Sequence, residues 1–203
     1  MGLPNEVVSG LLSSSGDNDL YQVSRSLRFN SADSAYLTRT FAANPSDRTR
    51  MTISFWIKRT AVGTDNYFFG GYDGSSTNSN IIGFTSDKLL LLHGTGALSN
   101  MVSTMVFRDT SSWYHIVVAY DMTNATTANR VKVWVNNTQI TVWDSTYYPN
   151  SNLQYLLNNS NNKIGSSYNA TTLFNGYITQ IHCVDGQALD PTSFAQSDTN
   201  GRW

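Results

Sequence analysis

Eight consecutive residues of the chain alternate without a break. Met51, Ile53, Phe55 and Ile57 fall on one side, and Thr52, Ser54, Trp56 and Lys58 on the other. A period of two belongs to a β-strand with one buried face, and no helix reproduces it. The pattern recurs in shorter form along most of the chain, so sheet packed on sheet is the architecture to expect.

Ser26–Phe29 and Ser34–Thr38 read as short strands around a turn at Asn30–Asp33, and residues 42–48 read as a loop through Asn44-Pro45. Tyr67–Gly71 is followed by a polar turn running to Asn80. Ile81–Thr85 and Lys88–His93 form a hairpin around Ser86-Asp87, and Met101–Phe107 comes next. Trp113–Tyr120 is apolar on both faces, the mark of a central strand. Arg130–Val135 meets Asn136-Asn137, a pair that tolerates the positive φ of a two-residue hairpin turn, and returns as Gln139–Val142. Tyr155–Leu157, Lys163–Ile164 and Gly176–Val184 complete the set. Asp190 caps a short turn with Pro191 at its first position.

Composition removes the rival classes. Asn, Ser and Thr make a third of the 203 residues, while strong helix formers are scarce. A net charge of −1, with 13% charged residues, offers no footprint for nucleic acid. The 40% hydrophobic content is too rich for disorder. No apolar run approaches the length of a membrane span, and residues 1–16 lack the pattern of a signal peptide, so no membrane insertion is expected. Glu6 is the only glutamate, which excludes a two-glutamate glycosidase and an H-E-x-x-H protease. No G-x-S-x-G elbow occurs. His93, His115 and His182 lie far apart and read as structural histidines; no cofactor or metal is expected. Cys183 stands alone and reads as a small buried hydrophobe.

Two regions stand apart. Residues 1–24 form an arm in which Val7, Val8, Leu11 and Leu12 make an apolar patch before a Ser/Gly/Asp stretch. It is a frayed terminus or a segment that docks on a neighbouring subunit. Asp17-x-Asp19 opens like a calcium loop, but Gln22 and Arg28 stand where Gly and an acid are required. Trp143, Tyr147, Tyr148, Tyr155 and Tyr168 gather in the Asn-rich stretch between 143 and 170. Aromatic faces beside amides suit a sugar site, a subunit interface or simple loop packing.

Trp113-Tyr114-His115-Ile116-Val117-Val118-Ala119-Tyr120-Asp121 resembles the W-x-H-V-A-V-x-Y-D strand of laminin G-like and pentraxin-like domains. Val131–Asn137 resembles their next strand, and Lys163–Ser167 with Phe174–Ile178 resembles their late pair. The ordered set implies the concanavalin A-like jelly roll over residues 25–203. Thr179-Gln180 replaces the family's acidic pair; some laminin G-like domains bind calcium through loop Asp residues, but no complete acidic set matches here, so the resemblance carries over no metal site. Arg25–Thr40 and Asp185–Phe194 are similar to the opening and close of this domain in tailed-bacteriophage virion proteins. That resemblance implies a non-enzymatic virion structural protein, a capsid decoration or a tail or fibre component. Its partners would be other virion proteins and copies of itself, and it would assemble in the host cytoplasm. The alternative is a carbohydrate-binding module that recognises host-surface glycan.

Overall fold

A computed structural model describes residues 25–44, 47–72, 79–94, 99–150 and 161–203. The strands are β1 (Leu27–Phe29), β2 (Leu37–Thr40), β3 (Arg50–Arg59), β4 (Asn66–Tyr72), β5 (Asn80–Thr85), β6 (Lys88–His93) and β7 (Ser99–Val106). They continue as β8 (Tyr114–Asp121), β9 (Val131–Val135), β10 (Thr138–Gln139), β11 (Trp143–Tyr147), β12 (Asn161–Ile164) and β13 (Gly176–Asp185). One sheet has the order β1-β13-β3-β8-β9-β10, and the other β11-β7-β6-β5-β4-β12-β2. The pairs are antiparallel, and the two sheets make a jelly-roll sandwich. Among the described residues, helix is confined to single 3₁₀ turns. The arm, with Val7, Val8, Leu11 and Leu12, lies outside the described residues, as do Tyr155 and the strand expected around it.

The core forms where the alternating faces meet. Met51, Ile53, Phe55 and Ile57 of β3 point inward beside Ile116, Val118 and Tyr120 of β8. Phe68, Ile82, Phe84, Leu89 and Leu91 come from the facing sheet. Phe55 bridges the layers, edge-on to Phe68 with ring centres 5.2 Å apart. The hairpin turns take the expected left-handed backbone: φ is 45° and 67° at Ser86 and Asp87, and 46° and 65° at Asn136 and Asn137.

Several expectations are corrected. The outer face of β3 is not open to solvent: Thr52 and Ser54 are fully buried. The segment after β13 covers them. Thr52 Oγ1 donates to the Gln187 carbonyl at 2.8 Å and accepts from the Leu189 amide at 2.7 Å. The second strand begins at Leu37 rather than Ser34, because Ser31–Asp33 wind into a 3₁₀ turn capped by Asn30, and Ser34 leaves it with φ 52°. The return strand after Asn137 ends at Gln139; the chain then crosses to the other sheet and forms β11, pairing with β7. Cys183 is exposed rather than buried, on the part of β13 that runs past the three residues of β1.

One buried ion pair ties the β5–β6 turn to the sandwich. The Arg59 guanidinium is fully buried; it donates from Nη2 to Asp87 Oδ1 at 3.0 Å and from Nη1 to the Phe107 carbonyl. It also lies over the Phe84 ring, 4.4 Å from its centre. Asp87 accepts further bonds from the Gly63 amide (2.6 Å) and Arg108 Nε (3.0 Å). Burial pushes the Asp87 carboxyl upward, but these donors outweigh it and hold it below the usual carboxylate value.

Candidate functional site

Register decides which side chains share a face, because cross-strand partners point the same way. On the seven-stranded sheet, Tyr147 pairs with Asn100, Asn100 with Leu92, Leu92 with Ile81, and Ile81 with Gly70. Gly70 pairs with Lys163, and Lys163 with Thr38. This transverse row lies opposite the inward set Leu91, Ile82 and Phe69, so it faces away from the core. The neighbouring row is Tyr67, Gly83, Leu90, Val102 and Ser145.

Two glycines shape the floor. A Cβ on Gly83 would meet the Tyr67 ring at 2.5 Å, so the phenol lies across the sheet there. A Cβ on Gly70 would stand 2.3 Å from the Tyr168 backbone nitrogen, so the loop after β12 rests directly on β4. That loop is pinned by its own polar groups. Ser167 N donates to the Thr172 carbonyl at 2.8 Å, and Ser167 Oγ accepts from the Thr171 and Thr172 amides. The Tyr168 ring stacks on Tyr72 with centres 5.3 Å apart, and Lys163 Nζ donates to the Tyr168 carbonyl at 2.9 Å.

Between this loop and the sheet lies a cleft of about 350 Å³, lined by Tyr67, Ser79, Ile81, Leu92, Gly94 and residues 167–169, 171 and 172. Its floor is apolar, from Ile81 and Leu92. Its walls carry two phenols, the hydroxyls of Ser79, Ser167, Thr171 and Thr172, and the Asn169 amide. Burial, reinforced by Asp65, which accepts a bond from the Tyr67 hydroxyl at 3.3 Å, pushes the Tyr67 phenol up to about 12. It is therefore neutral at physiological pH, and with its one proton given to Asp65 its oxygen is left as an acceptor. Among the described residues, no formal charge lines the cleft. It can hold a small polyhydroxylated molecule between aromatic faces and hydroxyl or amide partners.

The five aromatics singled out in the sequence are not one cluster. Tyr168 forms the cleft. Tyr147 lies on the same outer face, but β11 and β12 stand five strand positions apart, roughly 24 Å. Trp143 and Tyr148 pack against the core, and Tyr155 lies outside the described residues. Sequence reasoning missed Tyr67, Ile81 and Leu92. The adjacent pair Phe68-Phe69 was the available sign of Tyr67's position. Both phenylalanines are buried, a break in alternation that the β4 bulge produces, and it sets Tyr67 beside Gly83.

On the opposite face of the sandwich, Ser54 and His115 touch, with Oγ and Nε2 2.9 Å apart. The Trp203 indole donates to His115 Nδ1 at 2.8 Å. An indole N–H can only donate, so Nδ1 accepts and the ring proton sits on Nε2, donating to Ser54. Such an imidazole cannot take a proton from the serine. It is stacked between Trp56 and Trp203, and burial followed by the nearby His182 lowers it to about 4. His115 is a structural residue here. Among the described residues, no three metal-ligating side chains of the His, Cys, Asp and Glu types gather.

Residues 29–193 match the concanavalin A-like lectin/glucanases superfamily. The chain belongs to that family. No curated protein matches this lectin-like chain in sequence. Among solved structures it is similar to domains LG4-5 of the mouse laminin alpha1 chain, at 13% identity and TM-score 0.56, over 82% of this chain and 45% of that one. It is also similar to the CBM40 of the Ruminococcus gnavus IT-sialidase bound to alpha2,3 sialyllactose, at 12% identity and TM-score 0.53, over 79% and 96%. A third likeness is to domain 4 of AbnA, a GH43 extracellular arabinanase from Geobacillus stearothermophilus, in complex with arabinotriose. There the identity is 20% and the TM-score 0.50, over 72% and 65%. At these identities the likeness is one of fold.

Proposed function

We propose that the chain is a non-enzymatic carbohydrate-binding module that holds glycan in the cleft beneath Tyr168. The observation that carries this reading is the cleft itself: an apolar floor between two phenols, walled by hydroxyls and an amide, with no charge among its described residues. Sugars offer an apolar ring face and a set of hydroxyls, and the lining matches both. The presence of sugar-bound domains among the similar folds supports the reading. The locked Ser54–His115 pair and a domain without glutamate support binding rather than hydrolysis. A glycan array probed with the full chain tests it. Binding that disappears in Tyr168→Ala is expected, and silence across a broad array refutes it.

A second reading, a virion structural protein assembled in a host cell, rests on a different observation. Leu27 of β1, Leu37 of β2 and Tyr36 just before it are exposed, in the segment whose sequence is similar to phage virion proteins. Exposed apolar side chains on strands at the ends of both sheets suit packing against other subunits. Electron microscopy of particles carrying the chain tests this reading, and the two functions are compatible in one molecule.

A further inference from the structure

We infer that the cleft reads the acetamido group of an N-acetylated sugar. This rests on the carbohydrate-binding reading and adds the chemical class of the ligand. It follows from which wall groups already have partners. The Ser167 hydroxyl donates to Asn169 Oδ1 at 2.9 Å and accepts from the Thr171 and Thr172 amides, so it is saturated. Asn169 Oδ1 also takes the Thr171 hydroxyl proton at 2.8 Å and the Thr171 amide at 3.4 Å. A backbone N–H can only donate, so these bonds fix which end of the Asn169 amide is the oxygen. Its NH2 is left over. Asn169 is exposed, and the two N–H donors bond to no described residue. Two oxygens have the opposite role. The Thr171 hydroxyl proton is given to Asn169 and the Tyr67 proton to Asp65, so both oxygens meet a ligand as acceptors.

The cleft therefore sets a fixed donor and fixed acceptors around an aliphatic floor. Ile81 is only 5% exposed and Leu92 is half-buried, so the floor is a patch of methyl size rather than a platform for a ring. A secondary amide with a methyl cap answers all three features. Its carbonyl takes the Asn169 donors, its N–H goes to the Tyr67 or Thr171 oxygen, and its methyl covers Ile81 and Leu92. A hydroxyl in the same place satisfies one polar point and sets an oxygen against the floor, which costs it hydration. Acetamido groups occur on neutral N-acetylhexosamines and on N-acetylneuraminic acid. Lys163 bonds the neutral Tyr168 carbonyl and lies over the Tyr36 ring, so its charge stays available to a carboxylate. The two sugars share the group that the cleft reads, and the experiment separates them.

Ligand-observed NMR titration of the full chain with paired methyl glycosides tests this. The N-acetylglucosaminide and N-acetylgalactosaminide are compared with the glucoside and galactoside, and the N-acetylneuraminide with its 5-hydroxy counterpart. In at least one pair the acetamido sugar is expected to bind about tenfold more tightly than its partner, and an N-formyl analogue, which lacks only the methyl, to lose most of that gain. The pair that shows the preference identifies the source. Asn169→Asp keeps the acceptor for Ser167 and Thr171 but removes the NH2 donors, so it should erase the preference in a chain whose thermal transition is unchanged. The sugar pairs are measured on the unaltered chain, so a misfolded variant does not rescue the inference. Equal binding within every pair, or a preference that survives Asn169→Asp, overturns the inference and leaves the cleft reading standing if Tyr168→Ala still abolishes binding. Failure of every sugar overturns both.

Discussion

Replacing Asp87 with alanine removes the one carboxylate facing a fully buried guanidinium. Arg59 would keep the Phe107 carbonyl and the Phe84 ring but lose its counter-charge. Breaking a buried pair from one side costs about 3–5 kcal/mol, because the orphaned ion stays desolvated. For a chain of this length each kcal/mol moves Tm by about 2–4 °C, so the expected fall is roughly 6–20 °C. Arg108 supplies the internal control. It donates to the same carboxylate at 3.0 Å, yet its side chain is 67% exposed. Arg108→Ala should therefore cost under about 1 kcal/mol. Asp87→Asn tolerates the left-handed backbone and keeps an acceptor, so it should fall between the two and isolate the charge from the shape. Urea unfolding followed by tryptophan fluorescence reads all three variants. Equal losses for Asp87→Ala and Arg108→Ala would refute the reasoning, since burial would then not govern the strength of the pair.

Gly70→Ala places a Cβ against the Tyr168 backbone and should lift the cleft loop at about 1–3 kcal/mol of stability; a glycan titration should then show the cleft lost from a folded chain. His115 is held near 4 in the fold against about 6.5 free, so it contributes stability that is fully present above pH 6.5 and drains away as pH falls toward 4. The loss by pH 4 is about 3 kcal/mol, and denaturation curves across that range should show it, with His115→Asn flattening the slope. Tyr67→Phe removes a hydroxyl acceptor from the cleft wall while keeping the ring over Gly83. It should weaken glycan affinity by roughly 0.5–1.5 kcal/mol in calorimetry without moving Tm.

Much of the fold was legible because it is local. The alternation of residues 51–58 gave the central strand, and Asn136-Asn137 gave a hairpin whose backbone carries the required φ values. Strand β11 was missed because Trp143-Asp144-Ser145-Thr146-Tyr147 holds a charge at its second position; a bulge between Trp143 and Ser145 accommodates Asp144, which pairs with Lys88. The buried outer face of β3 was missed because its cover at Thr52 comes from Gln187 and Leu189, far along the chain. The cleft was half legible. Tyr168 stood out as an aromatic among amides, but Tyr67, Ile81 and Leu92 lie on three different strands, and only pairing register brings them together. Gly70 and Gly83 fall inside expected strands, and their sequence positions give no sign that a loop and a ring touch the sheet there.

The central claim is that the outer face of the seven-stranded sheet is the binding surface. Amide chemical shifts of the isotope-labelled chain, titrated with an oligosaccharide, test it most directly. The account predicts shifts that saturate at Tyr67, Gly70, Ile81, Leu92 and Tyr168, with none at Trp56, His115 or Trp203. Shifts confined to the His115 face, or no shifts with any sugar, would contradict it.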